Sequence, residues 1–285
     1  MKLSARFLPS LALLVSLVIF NIYIYQLQPN ANPNLTNIYF LNVGQGDAAY
    51  IRTADQYNIV IDTGPSPKVS NLLNRLIPVW DRDIDLLILT HPHADHIGGA
   101  SQIIDQFPIR NILLTEVDYE SQLYSSLLEN IIRHDIKTTY ALAGSNFNIG
   151  ESVVKVLSPT PDILSDSDLN NTSIANLYSY HDFDIMFTGD ISTKVEEAII
   201  RNYQLPETEI LKVGHHGSNT SSSEDFINYL QPKYAVISVG QNNRYNHPSE
   251  SVVDRFVNAG IELLRTDLNS NIHFSTDGSS FKLIN

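Results

Sequence analysis

The chain has 285 residues, of which 43% are hydrophobic, enough for one sizeable core or two small ones. It has no cysteine, which excludes disulfides and thiolate metal sites and leaves nitrogen and oxygen as the only metal donors. A formal net charge of −13 weighs against tight nonspecific nucleic-acid binding, though less so against weak capture by a cleft that metal ions make positive.

Residues 7–25 contain no charged side chain and follow Lys2 and Arg6. A bilayer-crossing helix takes ~20 apolar residues, so residues 1–27 read as an N-terminal transmembrane anchor with its N-terminus in the cytoplasm. A cleaved signal peptide, giving a secreted protein, is the alternative, and a buried core helix is the plainer one. Residues 28–36 form a polar Pro/Asn linker. On either leading reading, residues 37–285 form one domain outside the cytoplasm.

Within that domain, strands rich in β-branched and aromatic residues are expected over 37–43, 48–52 and 58–61. The last ends in the turn signal Asp62-Thr63-Gly64-Pro65. Helical spacing follows over 69–77, and a nearly all-apolar run over 84–90 predicts a strand buried on both faces. Helices are predicted over 97–107 and 119–134. In the second half, strands are expected over 153–157, 173–177, 184–188, 209–213 and 234–239, and helices over 193–203, 223–230 and 250–259. Short strands over 261–265, 272–275 and 281–284 complete the chain. Such alternation predicts a layered α/β arrangement, with helices covering sheets.

The strongest chemical signal is Thr90-His91-Pro92-His93-Ala94-Asp95-His96-Ile97-Gly98-Gly99. A strand-to-helix turn aims several side chains at one point, and imidazole with carboxylate suits Zn, Mn or Fe. The two glycines let backbone pass close by. A polar turn with surface histidines is the bland alternative, and four ligand-type residues at this spacing argue against it.

His-x-His-x-Asp-His resembles the signature of the metallo-β-lactamase superfamily. That resemblance implies a four-layer αβ/βα sandwich with a two-metal site at one edge, holding Zn or Mn. His91 and His93 would serve the first metal and Asp95 and His96 the second. Asp62 would orient ligands rather than bind metal. Asp190, in Phe187-Thr188-Gly189-Asp190, would bridge both metals. Of the pair His215-His216, His216 would complete the second site and His215 would face substrate.

A closer resemblance is to the soluble hydrolase domains of the ComEC family of DNA-uptake proteins. It rests on Val43-Gly44-Gln45-Gly46-Asp47-Ala48, on His215-His216-Gly217-Ser218, and on Val239-Gly240-Gln241-Asn242-Asn243-Arg244-Tyr245-Asn246-His247-Pro248. Arg265-Thr266-Asp267 and Asp277-Gly278 also take part. The teichoic acid phosphorylcholine esterases share the layout. Two departures stand out. One apolar segment cannot form that family's many-helix channel, so a separate channel would be the partner. A histidine that many members give to the first metal is absent, and Asn170-Asn171-Thr172-Ser173 stand there instead. Asn171 or His181 is then the candidate to complete that site. His134, His181 and His273 otherwise read as ordinary surface or hairpin residues, with His181 the one near the gap.

Divalent metals at such a site would activate water for hydrolysis of an ester. Asp95 and Asp190 would orient that water, and His215 or His247 would protonate the leaving oxygen. Lys212 or Arg244 would offer positive charge to the developing oxyanion. The expected function is an extracytoplasmic phosphodiesterase acting on DNA, single-stranded DNA included, or on a cell-wall phosphodiester. A β-lactam or lactone hydrolase and a non-catalytic DNA-uptake accessory module are the rivals. No nucleotide-binding Gly-x-x-x-x-Gly-Lys loop is present.

Overall fold

The computed structural model of the chain describes residues 15–17 and 32–285. The apolar segment 7–25 lies outside the described residues apart from 15–17, as does most of the expected anchor. Among the described residues no helix is long and apolar enough to cross a membrane.

Two mixed sheets face each other. The first runs in the order β15-β14-β1-β2-β3-β4-β5-β6 and the second β13-β12-β11-β10-β9-β8-β7. In the first sheet, β1 is Thr36–Phe40, β2 Ala49–Arg52, β3 Asn58–Ile61, β4 Leu86–Leu89, β5 Ile112–Leu114 and β6 Thr138–Tyr140. In the second, β7 is Asn146–Ile149, β8 Ser152–Ser158, β9 Ala175–Tyr180, β10 Phe183–Phe187, β11 Ile210–Lys212, β12 Tyr234–Ile237 and β13 Glu262–Arg265. The chain then returns to the first sheet with β14 (Ile272–Thr276) and β15 (Phe281–Leu283).

Side chains alternate across each strand, and both faces are apolar. Ile59, Ile61, Leu86 and Ile88 point between the sheets, where they meet Val154, Val156, Tyr178, Ile185, Phe187 and Val236. Val60, Leu87 and Leu89 point outward, against helices α1 (Lys68–Leu76), α3 (Ala100–Gln106) and α4 (Gln122–Arg133). On the other side, Met186, Leu211, Ala235 and Ile237 pack on α5 (Thr193–Asn202), α6 (Glu224–Leu230) and α7 (Glu250–Asn258). The result is the helix–sheet–sheet–helix sandwich expected from the sequence. It also explains the unbroken apolar runs, because strands covered on both faces have no polar side.

The expected helix over 97–107 is divided. A short α2 (Ala94–Ile97) turns at Gly98 and Gly99 into α3. A Cβ on Gly98 would lie 2.4 Å from the Pro65 carbonyl oxygen, so that backbone must stay bare for the two loops to pass. Strands β5, β6 and β7 were not anticipated. They are short, and β6 and β7 are only partly buried, so their apolar signal is weak. A last short helix, α8 (Thr266–Asn269), follows β13 directly.

Candidate metal centre

Strands β3 and β4 run parallel, as do β10, β11 and β12. The residues that follow their carboxyl ends converge on one edge of the sandwich, where open α/β sheets place their ligands. β3 delivers Asp62, and β4 delivers Thr90 and the histidine turn. From the second sheet, β10 delivers Asp190, β11 delivers His215 and His216, and β12 delivers the loop that carries His247.

Local backbone conformation fixes these directions. Asp62 is left-handed (φ 57°), and so are His215 (φ 47°) and His216 (φ 53°). Non-glycine residues seldom adopt this region, and such strain collects at functional sites. Gly46 (φ 139°) lets the 44–47 loop press on the histidine turn, since a Cβ there would lie 2.3 Å from the Asp95 carbonyl oxygen. The Asp47 N–H donates to that carbonyl at 3.1 Å, and the Thr63 N–H donates to the His96 carbonyl at 2.7 Å.

The side chains meet around Asp190. Its Oδ2 lies 3.3 Å from His96 Nε2, 3.7 Å from His216 Nε2, and 3.9 Å from both His91 Nε2 and His215 Nε2. His91 Nε2 is 3.0 Å from His93 Nδ1. His216 Nε2 is 3.2 Å from Asp95 Oδ2. Four overlapping donor groups result among the described residues, and two of them, His91 with His96 and Asp190, and Asp95 with His96 and His216, draw two donors each from the histidine turn.

The opposite ring nitrogens are held from behind, which selects the tautomer that points Nε2 into the site. His96 Nδ1 bonds Asp62 Oδ2 at 2.8 Å, and Asp62 also accepts from the Thr90 N–H and hydroxyl. His91 Nδ1 meets the Ser173 hydroxyl at 3.2 Å, and that same oxygen accepts from the Asp190 N–H. His216 Nδ1 lies between the Ser238 carbonyl (3.0 Å) and Asp47 Oδ1 (3.2 Å).

Electrostatics follow from burial and charge. Burial holds His91 well below the usual histidine range, and neighbouring His96 adds to this. Burial also opposes the charge on His96 and His216, but nearby carboxylates outweigh it. Asp190 and Asp62 hold His96 well above its ordinary value, and Asp190 with Asp47 raises His216 to about 10. Asp190 is held well below the carboxylate range because the charges of His96 and His216 overcome its burial. The site is thus organised for positive charge. Asp190 Oδ1 and His96 Nε2 are buried with no hydrogen-bond partner among the described residues. Buried polar atoms are normally satisfied, so these two orphans and the nitrogen–oxygen donor set fit divalent metal ions.

A cleft of about 340 Å³ opens over the donors, lined by His93, Asp95, Asn170, Asp190, His215, His216, Tyr245 and His247. His215 and His247 therefore face the space where substrate would lie, with rings 5.9 Å apart. Burial and the two neighbouring histidines lower the pKa of His247.

Several expected residues stand elsewhere. Lys212 does not line the cleft. Its ammonium is buried, 2.7 Å from Asp47 Oδ2 and 2.8 Å from the Val213 carbonyl oxygen, so it braces the site from below. The Asn171 amide oxygen accepts from the Ser192 N–H and hydroxyl, which removes it from the first metal position. Its neighbour Asn170 faces the cleft instead, with its amide oxygen buried and unpartnered among the described residues. His181 lies in the β9–β10 hairpin, at the other end of the strand that leads to Asp190, beside Glu151. His273 is a buried strand residue, stacked on Tyr39 and bonded to Asn37 Oδ1. Its burial lowers its pKa to about 4. His134 bonds the Asn130 carbonyl on α4, away from the site.

Sequence reasoning gave no role to Asp47, Ser173 or Asn170. Asp47 had a signal in the Gly44-Gln45-Gly46-Asp47 run, whose glycines announce close packing. Ser173 had none beyond its place before β9.

Comparison with known proteins agrees with this geometry. Residues 41–145 match the model of the Metallo-beta-lactamase superfamily. The chain is 30% identical over 257 residues to ComE operon protein 3 of Bacillus subtilis, covering 82% of this chain and 32% of that protein. It is 31% identical over 250 residues to Competence protein ComA of Neisseria gonorrhoeae, covering 87% and 33%. The chain therefore spans about a third of the length of these curated relatives. Among solved structures, the metallo-beta-lactamase fold protein YhfI from Bacillus subtilis superposes with a TM-score of 0.58 at 12% identity, covering 85% of this chain and all of that one. Sandwich, histidine turn and sequence similarity agree, and the chain belongs to the metallo-beta-lactamase superfamily.

Proposed function

We propose that the chain is a two-metal phosphodiesterase acting on DNA, held outside the cytoplasm by residues 7–25. The observation that carries the reading is the donor set around Asp190, in which His91 with His96 and Asp95 with His96 and His216 form overlapping groups and His93 lies 3.0 Å from His91. Two divalent ions, Zn or Mn, would supply an activated water and Lewis acidity towards a phosphoryl oxygen. The chain's own residues do the rest. Asp62, Ser173 and Asp47 orient the ligands. Asp95 and Asp190 orient the attacking water. His215 or His247, both facing the cleft, protonates the leaving oxygen. The competence-protein name of the Neisseria gonorrhoeae relative supports a DNA substrate, and the uncharged segment behind Lys2 and Arg6 supports the anchor. A separate channel-forming protein is the natural partner of this reading.

The test loads the purified protein with Mn or Zn and offers single-stranded DNA and bis-p-nitrophenyl phosphate in parallel, with Asp190→Ala as control. Cleavage of both, lost in the control, is the expected result. Cleavage of the small ester alone moves the substrate to a cell-wall or small-molecule ester. Bound metal without any phosphodiester cleavage overturns the reading.

A further inference from the structure

The loop between β12 and α7 forms one wall of the cleft, and one side chain fastens it. Asn243 Nδ2 donates to the Gly240 carbonyl (3.0 Å) and the His247 carbonyl (2.6 Å). Its Oδ1 accepts from the Tyr245 N–H (3.2 Å) and the His247 N–H (3.0 Å). A loop pinned in this way is preorganised, so little ordering cost remains to be met on binding.

The pinned loop presents two rings to the cleft. Tyr245 and His247 stack with centroids 5.8 Å apart and planes 16° from parallel. Tyr245 is 48% exposed and lines the cleft, so its ring is accessible to an occupant. Arg244 places its guanidinium 4.8 Å from the Tyr245 ring centroid and donates to the Tyr245 hydroxyl. It is solvent-exposed.

These features narrow the occupant. A quaternary ammonium such as choline seeks an aromatic face free of other cations, and here Arg244 already occupies that role at Tyr245. The rim instead offers a planar cation that bonds phosphate oxygens two at a time, and the Arg244–Tyr245–His247 stack is a flat assembly that a nucleobase can extend. In a duplex the faces of each base are covered by its neighbours, whereas in a single strand they are open. We infer that Arg244, Tyr245 and His247 form a nucleotide subsite, which holds the base and phosphate adjoining the phosphodiester at the metal centre and selects single-stranded nucleic acid. This rests on the phosphodiesterase reading above and adds the substrate's strandedness and the residues that choose it. A local subsite of this kind is also what a chain of net charge −13 needs to hold a polyanion.

The test uses the metal-loaded full chain with a single-stranded oligonucleotide, the same sequence as a duplex, and bis-p-nitrophenyl phosphate. Tyr245→Ala is expected to raise the oligonucleotide KM about tenfold more than it raises that of the small ester. Tyr245→Phe, which keeps the ring, recovers most of that loss. Arg244→Gln lowers the slope of log affinity against log salt by about one, as expected for one lost phosphate contact. Equal losses on both substrates, a Tyr245→Phe protein as poor as Tyr245→Ala, or wild-type protein that prefers duplex each overturn the subsite. A wild-type protein that cleaves the small ester while Tyr245→Ala loses nothing on the oligonucleotide overturns the subsite and leaves the phosphodiesterase standing. Failure of wild-type protein on every phosphodiester overturns both.

Discussion

Lys212→Met should destabilise the protein although Lys212 never reaches the cleft. The Lys212–Asp47 pair is 2.7 Å long, with side chains 4% and 7% exposed. Removing one partner of a buried pair strands the other charge and costs about 3–5 kcal/mol. Asp47 keeps one further source of positive charge, because His216 Nδ1 is 3.2 Å away and its pKa is about 10 in the metal-free protein. The imidazolium covers part of the stranded carboxylate, so the cost falls at the lower end, about 3 kcal/mol. For a chain of this size that is a melting temperature lower by roughly 6–12 °C. Urea unfolding of metal-stripped protein at pH 7 reads the effect as a lower midpoint at constant slope. Adding Asp47→Asn to Lys212→Met removes the stranded charge and should recover part of the loss. A single variant within about 1 kcal/mol of wild type, against the 3–5 kcal/mol of a broken buried pair, would refute this account. So would a double variant less stable than the single one.

Asp62→Ala removes the carboxylate that orients His96, and metal affinity should drop about 10- to 100-fold in competition with a chelator. Gly46→Ala sets a Cβ against the Asp95 carbonyl at φ 139°, and thermal melts should register a cost of about 1–3 kcal/mol. The pH dependence of stability should flatten when metal is bound. His216 titrates near 10 when folded against an ordinary 6.5. The stability it contributes is complete below pH 6.5 and is lost as pH rises towards 10. Calorimetry of stripped protein should therefore show the melting temperature falling from pH 7 to 10. Metal competes with that proton, so loaded protein should lack the fall, and a flat profile in the stripped protein would contradict the assignment.

The layering of helices on sheets was legible from the alternation of strands and helices and from the all-apolar run over 84–90, while the four-layer arrangement came with the family resemblance. The histidine turn was legible because its donors are adjacent in the chain. What escaped the sequence is set by long-range packing. Asp47 and Lys212 lie far apart in the chain, and only the folding of one sheet on the other pairs them. Asn170 and Asn171 are neighbours on a tight turn that sends one to the cleft and the other to Ser192, a choice no composition signal encodes. His181 is close in sequence to that turn, but a full strand separates them, and a strand carries its two ends to opposite edges of a sheet. The halving of the 97–107 helix depended on how closely Pro65 approaches Gly98.

The edge on which the ligands meet is also a seam. His91, His93, Asp95 and His96 follow strands of one sheet, while Asp190 and His216 follow strands of the other, and the His91–His96–Asp190 and Asp95–His96–His216 groups each draw on both. An ion bound there would act as a rivet through two plates. Its binding free energy adds to the cohesion of the sandwich by mass action, about 2.7 kcal/mol at a hundred times the dissociation constant. A chain ending between β6 and β7, where one plate passes to the other, would keep the whole His-x-His-x-Asp-His run and still lack Asp190 and His216. Metal retention therefore reports that both plates are in register, and a nick in the linking segment should release metal before it abolishes secondary structure.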